Sequence, residues 1–386
     1  MADQSQASVA YGVFNETSEH EKRVALTPEI VTRLKKSGVR CLIEKGAGDA
    51  ALFSDEDYEK AGAQVVDRQA VIDGAQAFGF VDRPDAALID ALPKGSWVIG
   101  MLGSFTDQAY VDSLQAHGLV AVAIEKLPRQ LSSAQSMDEM TSQNSVMGYK
   151  AALVAANAYG SFFPMMTTAA GTIRPAKVLV LGAGIAGLQA IATARRLGAV
   201  VTAYDVRPAS KNEVLSLGAK FLDLGLDFSK GQGEGGYARA LTPEEQAQQQ
   251  AAVDAKAAGF DVIITTAKVP GRKPPVLLTK AGVDGLKRGA VVVDCAASDL
   301  GGNVEGSAPE QTIVTANGVQ IIGAPTLSSE VATTASNLLA RNVADVLVHY
   351  IRDGKLAVDL SEELDDKMVV AGRPAEPASA DAASKE

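Results

Sequence analysis

Two stretches of this 386-residue chain carry residue types that could do chemistry. The first reads LGAGIAG and spaces Gly182, Gly184 and Gly187 as G-x-G-x-x-G. Backbone amides freed by glycines are suited to cradling phosphate. The second, SSAQSMDEMTSQ over residues 132–143, holds Gln135, Asp138 and several hydroxyls, but no His, Cys or Lys. Such a loop can orient a polar molecule; it offers no obvious acid, base or nucleophile.

The glycine pattern alone is weak, but here it follows the β-branched run AKVLVLG and opens the helical stretch IAGLQAIATARRLGA. In that setting Gly182 makes the turn, Gly184 leaves room for a diphosphate, and Gly187 lets helix and strand pack closely. The helix N-terminus adds unpaired N–H groups and a positive dipole end. The next strand ends at Asp205, whose carboxylate is placed to accept hydrogen bonds from ribose hydroxyls and to repel a 2′-phosphate. NAD(H) is therefore expected over NADP(H), with Arg207 the one neighbour that could pair with such a phosphate. The Gly-rich SKGQGEGGYARAL (229–241) carries one aromatic, Tyr237. It reads either as plain surface loop or as a lid whose Tyr237 closes over the nucleotide.

These residues need a frame, and strand and helix patterns alternate in two series. The first comprises 9–14, a helix after Pro28, then 39–45, 76–81, 96–102 and 119–125. The second comprises 176–182, 199–205, 220–225, 261–267, 290–296 and 319–324, all continuous apolar runs suited to strands covered on both faces. Between the series a helix is expected over 136–160, with Ser136 at N-cap and Glu139 at N3 of a capping box. A second long helix, from about Ser328 to Tyr350, returns the chain. The expected fold class is α/β: two Rossmann-like domains with parallel sheets, joined by two long interdomain helices. The first domain takes 1–140 plus 330–370, the NAD(H)-binding domain 141–329, and 371–386 form a disordered tail.

Composition narrows the function. Apolar residues make up 47% and net charge is −10, which disfavours nucleic acid and anionic membrane surfaces as partners. The two cysteines, Cys41 and Cys295, read as buried thiols in a reducing compartment, and three scattered histidines give no metal-ligand spacing. The uncharged run 178–194 approaches membrane-spanning length. Its glycines and β-branched start read as strand, turn and helix, so a soluble, cytoplasmic protein is expected.

Beyond these patterns, RVALTPE (23–29), SAQSMD (133–138), GYKAALVAA (148–156), the block 163–201 followed by YDVRP, EGGYA (234–238) and GGN (301–303) carry a family likeness. Over nearly the whole chain to about residue 355 the sequence resembles the NAD(H)-binding subunit of proton-translocating nicotinamide nucleotide transhydrogenase. The wider superfamily includes alanine dehydrogenase. The resemblance implies hydride exchange between NAD(H) here and NADP(H) on a separate subunit, coupled to proton movement through a membrane domain. It also implies a homodimer, held at the inner membrane only through its partners. It assigns nucleotide contacts to Gly182, Ala183, Gly184, Ile185, Gly187, Asp205, Val206, Arg207, Gly236, Tyr237 and Thr266. It places Gln135 toward the partner nucleotide, Asp138 on the dihydronicotinamide side, Thr141 where the family usually has Ser, and Arg129 at a nucleotide contact. No metal is implied.

Hydride passing directly between two nicotinamides moves no proton in the chemical step, so a loop without acid or base suffices. The chain departs from the family pattern in three places. Arg129 stands one position further from Gln135, with Gln130 its possible substitute. Ser133 replaces a second Arg, and Lys268 stands where the family is usually apolar. Two other readings exist. An alanine-type dehydrogenase requires a Lys and a His where this chain has Phe80 and Met101, although Arg23 is present. A non-catalytic NAD(H) sensor requires only the nucleotide site.

Overall fold

The computed structural model describes residues 9–226, 241–268 and 271–373. It divides into two compact units, one combining the residues up to Glu139 with those from Ala332, the other spanning Met140–Val331.

In chain order the first unit begins with β1 (Val9–Val13), α1 (Pro28–Lys36), β2 (Val39–Glu44), α2 (Asp55–Ala61), β3 (Gln64–Val66), α3 (Arg68–Gly74), β4 (Ala77–Gly79), α4 (Ala86–Ala91), β5 (Trp97–Gly100), α5 (Gln108–Ala116) and β6 (Val120–Ala123). The second unit carries α6 (Glu139–Ala158), β7 (Met166–Thr168), β8 (Gly171–Ile173), β9 (Lys177–Leu181), α7 (Ile185–Arg196), β10 (Val200–Tyr204), α8 (Ser210–Ser216) and β11 (Lys220–Phe221). It continues through α9 (Pro243–Ala257), β12 (Val262–Thr265), α10 (Lys280–Asp284), β13 (Val291–Asp294), β14 (Thr312–Val314) and β15 (Gln320–Gly323). The chain then returns to the first unit as α11 (Ala332–His349), β16 (Ile351–Arg352), β17 (Lys355–Leu356), α12 (Glu363–Met368) and β18 (Val369–Ala371).

Each unit is built on a seven-stranded sheet. Their orders are β18-β6-β5-β4-β1-β2-β3 and β11-β10-β9-β12-β13-β15-β14. Both follow the doubly wound pattern, in which strand order reverses beside the first strand and leaves a crevice at the strands' C-terminal ends. The reversal falls between β1 and β4 in the first unit and between β9 and β12 in the second. All core strands are parallel, and one antiparallel strand closes an edge of each sheet, β18 on β6 and β14 on β15. Strands β9, β12 and β13 are Val-, Ile- and Leu-rich and almost wholly buried, as strands covered on both faces must be.

Two expectations from the sequence need correction. The helix expected from Ser136 begins instead at Glu139, preceded by a 3-10 turn over Ser132–Met137. Ala134 and Met137 are buried at threefold spacing in the first unit's core, and the side-chain amide of Asn342 takes the Ser136 carbonyl at 2.7 Å. Ser136 is therefore no N-cap. The strand expected over 220–225 shrinks to Lys220–Phe221, because polar Asp223 and Gly225 turn the chain away through a hydrogen bond of 2.8 Å. The sheets are dominated by parallel strands, as expected, and each adds one antiparallel edge strand too short to show alternation in the sequence. Of the expected tail, residues 374–386 lie outside the described residues.

Candidate functional site

Of the two sheet-reversal crevices, that of the second unit carries the glycine turn. In the first unit, aromatics cluster about the C-terminal ends of β1 and β4: Phe14 stacks on Phe78 at 5.5 Å and on Phe80 at 5.9 Å. In the second unit the LGAGIAG turn leaves β9 and enters α7. Gly182 has φ +96°, a conformation that side chains oppose. A Cβ at Gly187 would lie 1.9 Å from the Gly182 carbonyl oxygen, so helix and turn are in direct contact. A Cβ at Gly184 would meet nothing within 4 Å. Gly182 and Gly187 are thus fixed by packing, whereas Gly184 faces open space.

The N-terminus of α7 is bare. Helices α5 and α9 are capped by the side chains of Asp107 and Thr242, but Gly184 at the N-cap of α7 supplies none. Its first N–H groups, with Ala183 buried behind and Gly184 and Ile185 partly exposed, are available to an anion. Helix α6 buttresses this turn. A Cβ at Gly148 would sit 2.0 Å from the Ala186 carbonyl, which gives the glycine of GYKAALVAA a packing role.

Asp205 leaves the end of β10 toward the same turn. Its Oδ2 accepts the Ala183 N–H at 2.8 Å, and its Oδ1 accepts the Arg207 N–H at 2.8 Å and Arg207 Nε at 3.0 Å. Arg207 Nη2 also reaches the Ala183 carbonyl at 3.1 Å and Asp205 Oδ2 at 3.2 Å. Arg207 is therefore held by Asp205, and Val206 between them is half-buried. Across the crevice, Thr266 Oγ1 donates to the Gly182 carbonyl at 3.1 Å, linking the end of β12 to the glycine turn. Gly236 and Tyr237 lie outside the described residues.

Two further residues fix this edge and were not identified from sequence. Asn303, the last residue of GGN, is fully buried. It accepts the Ala267 N–H at 2.9 Å and donates to the carbonyls of Ala267 and Pro275 at 2.8 and 2.7 Å. Asp294 ends β13 and is fully buried. Its carboxylate receives Thr265 Oγ1 at 2.9 Å, the Ala296 and Val304 N–H groups at 3.0 and 3.1 Å, and Ser307 Oγ at 2.6 Å. An acid closing the run VVVD was the available signal.

In the first unit, Arg129 Nε donates to Asp138 Oδ2 at 2.8 Å, so these two expected site residues are brought together. Gln135 is exposed on the 3-10 turn. Thr141 belongs to α6 in the second unit, where its carbonyl accepts Ser145 Oγ at 2.9 Å. Arg23 is gripped by Glu21 through two bonds of 2.8 and 2.6 Å. Burial raises the carboxyls of Glu139 and Glu16 to about 8 in this neighbourhood. Cys41 and Cys295 are both free and buried. The fold does assemble one histidine with acids, His349 with Glu362 and Asp365. Arg352 already bridges both carboxylates at 3.2 and 3.1 Å, which supplies the positive charge a cation would bring.

Among the described residues no helix is long and apolar enough to cross a membrane. Residues 12–147 match the family described as Alanine dehydrogenase/PNT, N-terminal domain, and residues 151–373 its C-terminal domain. A NAD(P) transhydrogenase subunit alpha protein of Rickettsia prowazekii is 38% identical, over 89% of this chain and 90% of its own length. The crystal structure of a transhydrogenase from Sinorhizobium meliloti superposes with TM-score 0.83 at 39% identity, covering 94% of this chain and 98% of that one. A solved L-alanine dehydrogenase gives TM-score 0.75 at 26% identity, covering 96% and 97%. The chain therefore belongs to the alanine dehydrogenase/transhydrogenase family, with its greater likeness to transhydrogenase alpha subunits.

Proposed function

We propose that this chain is the NAD(H)-binding component of a proton-translocating transhydrogenase, exchanging hydride between NAD(H) on its second unit and NADP(H) on a partner subunit. The observation that carries the reading is the bare N-terminus of α7 with open space at Gly184, set at the sheet reversal. A diphosphate would fit there because the first turn of α7 has no side-chain cap and no Cβ intrudes at Gly184. Gly182, Ala183, Gly184 and Ile185 would hold it, with Gly187 and Thr266 fixing the turn. Asp205, Val206 and Arg207 would meet the adenosine ribose, Asp205 turning from its internal partners toward the hydroxyls. Bound NAD(H) would supply the nicotinamide ring that carries hydride. The residues of the chain would bind, orient and exclude water, a task that needs no acid or base. Gln135, the Arg129–Asp138 pair and Thr141 are the groups proposed to position the ring and the partner's nucleotide.

The same geometry disfavours amino-acid dehydrogenation. Phe80 is buried in an aromatic stack and Arg23 is engaged by Glu21, so the positions expected to carry a Lys–His pair and a substrate-ready guanidinium do not supply them. A homodimer is supported by the hairpin of β7 and β8. Its strands are exposed, and Met165, Met166 and Ile173 show 64%, 38% and 41% of their surfaces, an apolar face that a second copy would cover. Attachment to a membrane would then run entirely through the partner subunits.

The test is to mix the protein with the NADP(H)-binding component of a transhydrogenase and follow NADH-dependent reduction of an NADP analogue. Rates at the enzyme-free level would favour a non-catalytic NAD(H) sensor. Reduction of NAD dependent on L-alanine would favour the dehydrogenase.

A further inference from the structure

We infer that Lys268 sets the redox-state preference of the nucleotide site, disfavouring the positively charged oxidised nicotinamide against the neutral reduced ring. The inference rests on the nucleotide reading above and extends it to a residue that the reading leaves unused. In the doubly wound order, Asp205 on β10 marks the adenosine side of the reversal, so the other half of the dinucleotide lies toward β12 and β13. Lys268 follows the end of β12 on that side. It leaves from a rigid base: Thr266 is tied to the Gly182 carbonyl, and both polar backbone groups of Ala267 are clamped by Asn303.

Among the described residues the Lys268 ammonium makes no hydrogen bond or ion pair. Its side chain reaches solvent, yet it lies within electrostatic range of Asp294 and Cys295 at the end of β13. Asp294 does not capture it, because four donors already occupy that carboxylate. Asp294 is also fully buried, whereas the Lys268 side chain is exposed just beyond the C-terminal end of β12, so the lysine is the more accessible of the two charges. Lost hydration pulls the ammonium below the usual lysine range, partly opposed by Cys295 and Asp294. A second cation placed beside this ammonium is disfavoured by like-charge repulsion. The oxidised ring is such a cation; the reduced ring and the ring-free ADP-ribose are not.

The experiment compares dissociation constants of the full chain and its Lys268→Met and Lys268→Arg variants. NADH is titrated by fluorescence, NAD+ and ADP-ribose by calorimetry. Lys268→Met should tighten NAD+ roughly five- to ten-fold, the effect of one partly screened charge, with NADH and ADP-ribose nearly unchanged. Lys268→Arg should keep the parent ratio. An equal loss for all three ligands would put the cation on the diphosphate, and an unchanged NADH-to-NAD+ ratio would leave it idle; either overturns the inference. Failure of the parent chain to bind any of the three would instead sink the nucleotide site itself, and this inference with it.

Discussion

Replacing Gly184 by alanine should separate nucleotide binding from folding, and Gly187 provides the contrast. At Gly184 φ is −74°, open to any residue, and the new methyl would meet nothing within 4 Å. Alanine is a slightly poorer N-cap than glycine but restricts the unfolded chain, so the two effects nearly cancel, to within about 0.5 kcal/mol. At Gly187 the methyl would sit 1.9 Å from a backbone carbonyl oxygen, and α7 would have to move by about 1 Å against β9. The helix-propensity gain of about 1 kcal/mol is outweighed, leaving a net loss of about 2 kcal/mol. For a unit of this size that lowers Tm by roughly 4–8 °C, against about 1–2 °C for Gly184→Ala. NADH binding should respond in the opposite sense. Gly184→Ala places its methyl where the diphosphate would approach, so affinity should fall at least about ten-fold despite a normal melt. Calorimetric melting and NADH fluorescence titration read the two quantities separately. Normal NADH affinity in Gly184→Ala would refute the claim that phosphate lies over this N-cap. Equal destabilisation in both variants would refute the packing argument.

Asp205→Ala removes the carboxylate that holds both the Ala183 amide and Arg207, and should weaken NADH about 10–100-fold. An unchanged fluorescence titration would count against the ribose contact. The first unit should lose stability as pH rises. Burial raises Glu139 and Glu16 to about 8, with like charge from Glu21, Asp82 and Glu125 adding to it and Arg23 opposing it at Glu139. Their folded-state values lie above the unfolded ones, so the contribution is complete below about pH 4.5 and lost toward about pH 8. Urea unfolding should therefore give about 2–3 kcal/mol less per carboxyl at pH 8.5 than at pH 6, about 5 kcal/mol for the pair, and Glu139→Gln should roughly halve that slope; a rise with pH would contradict the burial argument. Lysine at both Met166 and Ile173 should leave a folded monomer by sedimentation, and a persisting dimer would exclude the hairpin as the contact.

The repeating strand–helix order and the glycine turn were legible because they are local. A β-branched run flanked by glycines can bury itself only as a covered parallel strand, and G-x-G-x-x-G at its end leaves few other backbones. Family membership was also readable, since motifs such as SAQSMD and the 163–201 block are contiguous. Short edge strands escaped notice because β14 and β18, with three residues each, owe their existence to a neighbouring strand. The start of α6 was misplaced for the same reason: the capping-box spacing at Ser136 was present, but Asn342, 206 residues away, claims its carbonyl.

By itself, then, the amino-acid order determined the two-sheet α/β class, the phosphate turn and the acid that follows it, all set by backbone sterics and hydrophobic burial over a few tens of residues. Tertiary structure alone decided which partners those groups take. It tied Asp205 to Arg207 and Asp138 to Arg129, closed Asp294 within four donors, and left the Lys268 side chain exposed beyond the end of β12. Pairing of charges depends on distances across strands and loops far apart in sequence, and only the folded chain fixes those distances.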